Sequence, residues 1–445
     1  MDDKKELLNR LIISISIILF VVLSVINLIN HTVWLDEAIA WSLAKNITLN
    51  NVVITLKNEG HFIIWYLLIM PFAKNNVCYP VPMSVINWLA YFFAILVMWR
   101  KAPFNNFFKI LITFSWLSLN YYSVVARCYS IGILGLFILL ATYKDQIKHP
   151  YFYTIMLVLT AHTSLLATLP VVPLACIFMY NLLKNQKEMS RKNIILPLII
   201  LFIGVFLWFL PFLHGYGYDG KAVFPPEYHK ILEFFNYKHY IMLYLYILSI
   251  IWILIFADNK IRFFTAFTLF EFLIFFCFVM GLAPHHGILL ITYLILFFWM
   301  TPKLHSINRK TVPFMLCFII LLYWNHFYHM SYIVDNADKS NIINFIKKQD
   351  KNNTYFFLDT SVQDIIPYIY EYNYTPLHPR YNDESNIDNN IKYFINVYQI
   401  DSKVFLISEY KINDKSIEFK IYRKNSGKGI KIYATPYEGV FKPKK

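Results

Sequence analysis

The sequence predicts an all-α polytopic membrane bundle of about eleven transmembrane helices, followed by a small C-terminal extracytoplasmic α/β domain. Three observations carry that prediction. Of the 445 residues, 58% are hydrophobic and only 15% are charged, whereas soluble domains carry about 25% charge. Apolar runs of roughly 20 residues recur along most of the chain, each long enough for a ~30 Å hydrocarbon core. Past Phe327 the composition turns polar and short strand-like patterns replace the long runs.

Apolar segments fall at 11–29, 61–73, 82–99, 110–126, 129–143, 151–168, 170–183, 193–213, 239–256, 263–281, 286–300 and 311–328. The segment at 61–73, HFIIWYLLIMPFA, is too short to cross and reads as an interfacial helix within a first outer loop at 30–81. With it set aside, the loops sort by charge. Seventeen lysines and arginines, from Lys4, Lys5 and Arg10 to Lys303, Arg309 and Lys310, fall on one side. Seven, among them Lys45, Lys57, Lys74 and Arg127, fall on the other before the C-terminal tail. The positive-inside bias then places the N-terminus in the cytoplasm and the C-terminal domain outside, in a multi-pass protein of the cell (inner) membrane. The basic start MDDKKELLNR resembles a signal peptide, but the run after it is long and lacks a small-residue cleavage site, so it reads as a retained anchor.

Residues 1–330 form the predicted transmembrane domain and 331–445 the α/β domain. The latter shows strand-like TYFFLD, KVFLISEY, IEFKIYRK and GIKIYA, with helical patterns near 340–350 and 361–373.

Several function classes are set aside by composition. The net charge of +14 reads as positive-inside bias, because no basic–aromatic nucleic-acid motif accompanies it. Five cysteines form no C-x-x-C pair, and the 12 glycines include neither a P-loop nor a G-x-G-x-x-G. No cofactor is expected. Asp36, Glu37, Glu59, Asp219 and Glu227 could supply oxygens to a divalent cation, but the pattern does not indicate a metal site.

What the outer face gathers is more specific. HTVWLDEAIAW places Asp36 and Glu37 just after the first span. KNEGHFIIWYLL adds Glu59 and His61 at the head of the interfacial helix. Arg127 and Tyr129 stand in ARCYS, Lys221 in HGYGYDGKAVFPPEYHK, and His285 with His286 in APHHG, all at outer turns. Each also has a plain structural reading. Asp36 serves as a helix N-cap with Glu37 in the first turn, Arg127 as a lipid-phosphate anchor, and the histidine pair as a polar helix end. His162, in LTAHTSLLA, reads as a core histidine.

Acids and cations on one outer face suit the transfer of a sugar from a polyprenyl-phosphate lipid. That reaction needs a general base for the acceptor hydroxyl and cations for the departing phosphate. The donor carries no nucleotide, which agrees with the missing nucleotide motifs.

In this order and sidedness the motifs resemble the GT-C class of membrane glycosyltransferases. The nearest likeness is to glycosyltransferase family 39, with its protein O-mannosyltransferase-like members, and to lipid A aminoarabinose transferase-like proteins. The resemblance spans most of residues 1–300. It departs at 62–63, where Phe-Ile stands in place of the usual prolines. It implies Asp36 as catalytic base with inversion at the anomeric carbon, and Glu37 as an orienting acid. Arg127, His285 and His286 would contact the donor phosphate, while Glu59, His61, Tyr129 and Lys221 would line the site. The implied partners are a polyprenyl-phosphate sugar donor, a glycan, lipid or protein acceptor, and membrane lipids, with no nucleic acid. The alternatives are a lipid-linked glycan flippase or other transporter, and a non-catalytic subunit of glycan assembly.

Overall fold

The computed structural model describes residues 2–31, 35–48, 50–56, 62–75, 77–211, 240–278, 287–306, 308–323, 340–358, 365–369, 371–376, 391–392, 395–396, 400–408, 415–422 and 429–436. In chain order the helices begin with α1 (Asp2–Ile29), α2 (Leu35–Asn46), α3 (Val52–Leu56), α4 (Ile63–Lys74) and α5 (Val81–Lys101). Then come α6 (Asn106–Thr113), a π-helix (Leu117–Tyr122), α7 (Tyr129–Thr142), α8 (Pro150–Ala161), α9 (Leu165–Lys184) and α10 (Arg191–Phe209). The set continues with α11 (Tyr240–Phe256), α12 (Asn259–Phe278), α13 (Gly287–Met300) and α14 (Val312–Tyr323). After α15 (Ser340–Lys347) come β1 (Thr354–Leu358), α16 (Ile366–Ile369), β2 (Asn373–Pro376), β3 (Lys403–Ser408), β4 (Ile417–Tyr422) and β5 (Gly429–Pro436).

The chain divides into two compact units. One comprises Met1–Asn30, Lys57–Trp65 and Asn87–Met330; the other comprises His31–Leu56, Tyr66–Ile86 and Ser331–Lys445.

The first unit is helical and associates with a membrane. Among the described residues, four helices of the chain are long and apolar enough to cross one: Glu6–Ile29, Val81–Lys101, Leu165–Lys184 and Arg191–Phe209. Helices occupy the other apolar segments too, but Pro150–Ala161, Ile288–Met300 and Val312–Tyr323 are shorter. At 1.5 Å per residue, a helix of 12 residues such as α8 spans about 18 Å, less than a ~30 Å core. The outward faces carry bare hydrocarbon, with Phe202 74% and Phe270 58% exposed; in water that surface would aggregate, in lipid it is solvated.

Two expected spans are interrupted. Within 110–126, α6 stops at Thr113 and the π-helix starts at Leu117. The hydroxyls of Ser115 and Ser118 both donate to the Ile112 carbonyl, at 2.8 and 2.6 Å. They occupy the acceptor that the helix ladder would use, so regular α-helix ends there. Within 151–168, α8 ends at Ala161, and Ser164 caps α9 by accepting from the Ala167 N–H at 3.0 Å.

Close approach of α7 to its neighbours depends on glycine. A Cβ on Gly135 would run into the Thr160 side chain, and one on Gly132 would lie 3.0 Å from Thr163 Oγ1. Those contacts bring α7 against the α8–α9 corner.

The second unit holds a five-stranded sheet of order β2-β1-β3-β5-β4. β1 pairs parallel with β2 and β3, whereas β5 pairs antiparallel with β3 and β4. Thr354, Tyr355, Phe356, Phe357 and Leu358 of β1 are all buried, as expected for a parallel strand covered on both faces. Phe345 of α15 meets Phe405 edge-on at 5.5 Å, closing one face. The four expected strands appear at β1, β3, β4 and β5. β2 is additional: it begins at the end of a stretch, 361–373, whose pattern is helical, and among the described residues of that stretch Ile366–Ile369 is α-helix. Residues 31–56, after α1, also belong to this unit.

Candidate functional site

The acid pair sits at the head of α2. That helix starts at Leu35, two residues earlier than an Asp36 N-cap requires, so Asp36 and Glu37 both lie in its first turn and Lys45 in its last. Acids at the start and a base at the end match the helix dipole. The two carboxylates are not equivalent. The Glu37 side chain is 1% exposed, and His31 Nε2 donates to its Oε2 at 2.8 Å. Asp36 remains partly exposed. Of the pair, Glu37 is the buried carboxylate and Asp36 the partly exposed one.

Around Glu37 the unit collects aromatic groups with polar tips. Trp41, one turn along α2, packs its ring 5.2 Å from that of Tyr79. Burial pushes the Tyr79 phenol well above its usual range, and the nearby Tyr374 and Glu37 push it the same way. Burial also raises Tyr374, on β2. The Trp41 indole N–H and the hydroxyls of Tyr79 and Tyr374 have no hydrogen-bond partner among the described protein groups.

Further along α2, polar side chains fasten it to the sheet. Ser42 Oγ donates to the Tyr374 carbonyl at 2.6 Å, and Lys45 Nζ to the Tyr372 carbonyl at 2.7 Å. Burial lowers the Lys45 pKa to about 8, with Glu371 opposing that shift and Lys351 adding to it. Behind α2, Asn51 accepts from the Thr48 N–H at 2.7 Å and donates to the Asn46 carbonyl at 3.1 Å, fixing the exit turn.

Arg127 and Tyr129 belong to the other unit, at the turn from the π-helix into α7. Arg127 is 6% exposed. Its turn is pinned through the last π-helical carbonyl, that of Tyr122, which accepts from Asn87 Nδ2 at 2.9 Å and from Ser130 Oγ at 2.6 Å. The Tyr122 hydroxyl pairs with Thr292 Oγ1 at 2.6 Å, and Tyr293 donates to the Leu166 carbonyl at 2.6 Å. A small recess of about 20 Å³ lies beside it, lined by Tyr122, Tyr129, Gly132, Ser164, Thr292 and Tyr293 among others. Helical wide turns of this kind are frequent at functional sites.

His162 caps α8, with Nδ1 at 2.8 Å from the Val158 carbonyl and its ring 6.1 Å from Phe62. It is a half-buried packing residue. Glu59, His61, Lys221, His285 and His286 lie outside the described residues, as do Asp219 and Glu227. Among the described residues, no three His, Cys, Asp or Glu side chains gather as a metal site.

Sequence reasoning missed His31, Trp41, Tyr79 and Tyr374. His31 carried a signal, since a histidine six residues before a buried acid is visible in HTVWLDE. Tyr374 carried none. No protein-family model, curated protein or solved structure matches the chain.

Proposed function

We propose that the chain is an integral membrane glycosyltransferase of GT-C type, transferring a sugar from a polyprenyl-phosphate donor to an acceptor hydroxyl outside the cytoplasm. In this proposal about eleven segments cross the cell membrane, with the N-terminus inside and the C-terminal domain outside, following the positive-inside bias. Asp36 accepts the proton of the acceptor hydroxyl as its oxygen attacks the anomeric carbon. The bond to the lipid phosphate breaks on the opposite side of that carbon, inverting it. Arg127, with His285 and His286, balances charge on the departing phosphate. Glu59, His61, Tyr129 and Lys221 line the sugar's path.

The observation that supports this best is the asymmetry of the acid pair. Glu37 is buried against His31 while Asp36 keeps part of its surface, so of the two carboxylates Asp36 is the more accessible to an acceptor hydroxyl. A single glutamate within a span supports the transporter alternative. Glu271 lies in α12, and its Oε2 is buried with no hydrogen-bond partner among the described residues; intramembrane acids commonly mark transport routes.

One assay separates the two readings. Purified protein is incubated with radiolabelled polyprenyl-phosphate sugars, and released lipid phosphate is counted. Transfer by the wild type should fall roughly 10²- to 10⁴-fold in Asp36→Asn, the usual span for loss of a general base, and stay unchanged in Glu271→Gln. Wild-type turnover by Asp36→Asn removes the catalytic assignment. Flip of labelled lipid across vesicles that depends on Glu271 and not on Asp36 establishes transport instead.

A further inference from the structure

The acid-bearing helix is held by an edge of the C-terminal sheet. Among the described residues β2 is the terminal strand in the order β2-β1-β3-β5-β4, with no strand paired to its outer side. The carbonyl of Tyr374, within β2, accepts from Ser42 of α2, and that of Tyr372, at the bend just before β2, accepts from Lys45. An edge that would otherwise recruit another strand is thereby covered by a helix.

The spacing on α2 suits this. Ser42 and Lys45 are three residues apart and share one helix face. Asp36 stands six residues before Ser42, less than two turns away, so a tilt or slip of α2 on β2 moves the Asp36 carboxylate directly. Other contacts on α2 include the His31 bond to Glu37, the side-chain bond between Asn46 and Tyr355 of β1, and the Lys74 Nζ bond to the Ile47 carbonyl after its last turn. Ser42 and Lys45 add two bonds along one face of the helix to these.

We propose that Ser42 and Lys45 are positioning residues, and that the C-terminal domain serves as the platform on which β2 aims Asp36. This rests on the glycosyltransferase reading for its catalytic consequence and on the hydrogen bonds alone for its structural one. A reaction of this kind loses rate steeply when a base is misplaced by about 1 Å. Substrate binding does not depend on the base in the same way, so the loss falls on kcat.

The experiment uses the full-length protein in detergent with three variants: Ser42→Ala/Lys45→Met, the conservative Ser42→Thr/Lys45→Arg, and Asp36→Asn. Amide hydrogen exchange is followed by mass spectrometry over 35–46, with 354–358 and 403–408 as sheet references. The first variant should exchange roughly tenfold faster over 35–46, as expected for two lost hydrogen bonds, with both reference strands unchanged. Its kcat should fall at least tenfold with KM for the lipid donor within twofold, and the conservative variant should recover most of both. Unchanged exchange over 35–46 overturns the proposal. So does exchange that rises equally in the strands, or a loss confined to KM. If the wild type transfers no sugar, the glycosyltransferase reading fails while the exchange result still decides whether β2 holds α2.

Discussion

The helix that carries Asp36 and the turn that carries Arg127 are held in opposite ways. α2 depends on partners far away in sequence, since the Ser42 bond to Tyr374 closes 332 residues and the Lys45 bond to Tyr372 closes 327. The Arg127 turn depends mainly on near ones. Ser130 reaches back eight residues to the Tyr122 carbonyl and Asn87 reaches across 35. A charged residue at a local turn inherits its geometry from the bundle that contains it. A carboxylate on a remotely fastened helix inherits its geometry from whether the distant domain has folded.

The largest test of that contrast removes the distant partner. A chain ending at residue 330 lacks β2 and with it both acceptor carbonyls of α2. Amide exchange over 35–46 should rise on the order of 100-fold or more, reflecting loss of packing as well as hydrogen bonds, while 129–142 keeps its protection. Protection that survives at 35–46 would mean that α2 is stable by itself and that its seat on the sheet is incidental.

A smaller effect comes from loosening the near partners. Asn87 is fully buried and gives its amide N–H to the Tyr122 carbonyl. Asn87→Ala should cost about 1–2 kcal/mol, lowering the thermal midpoint in detergent by a few degrees. Ser130→Ala removes the second donor to the same carbonyl. Because the two share one acceptor, the double variant should lose more than the sum of the singles. If Arg127 grips the donor phosphate, the double variant also weakens lipid-donor binding, seen as a higher KM. Strict additivity with an unchanged KM would show that the turn is held by other means.

The same contrast explains what could be read from the sequence. Apolar run length located the helices, because hydrocarbon of a given length has few other solutions near a membrane. The interruptions were hidden. Ser115 and Ser118 look harmless inside FSWLSLNYY, and only their geometry shows both hydroxyls taking the Ile112 carbonyl. The acid pair was legible as charge that breaks an apolar pattern. The difference between its members was not, since the burial of Glu37 and its bond to His31 exist only in the folded chain. β2 escaped notice because NYTP is short and ends in proline, a composition more typical of turns, and an edge strand tolerates it. No pattern along the chain announces that β2 will take a helix from the first loop.

The smallest expected effect is on pH dependence, and Lys45 supplies it. Its pKa falls from 10.5 to about 8 in the folded protein because burial penalises the ammonium. At pH below about 8 the amine is charged in both states, and the folded protein bears that penalty in full. Between about 8 and 10.5 the folded form has released the proton while the unfolded chain still binds it, so stability rises with pH across that window. The buried phenols act in the reverse direction. Tyr79, Tyr355 and Tyr374 hold their protons when folded, so above about pH 10, where unfolded tyrosine ionises, they reduce stability. Cysteine thiols also ionise between pH 8 and pH 10, so the Lys45 contribution is isolated there as the difference from Lys45→Met. Wild type should gain on the order of 1–2 kcal/mol there relative to Lys45→Met, measured as the difference in thermal midpoint at pH 8.0 and 9.5. A Lys45→Met protein that gains as much as wild type would place the titrating group elsewhere and leave Lys45 solvated rather than seated on β2.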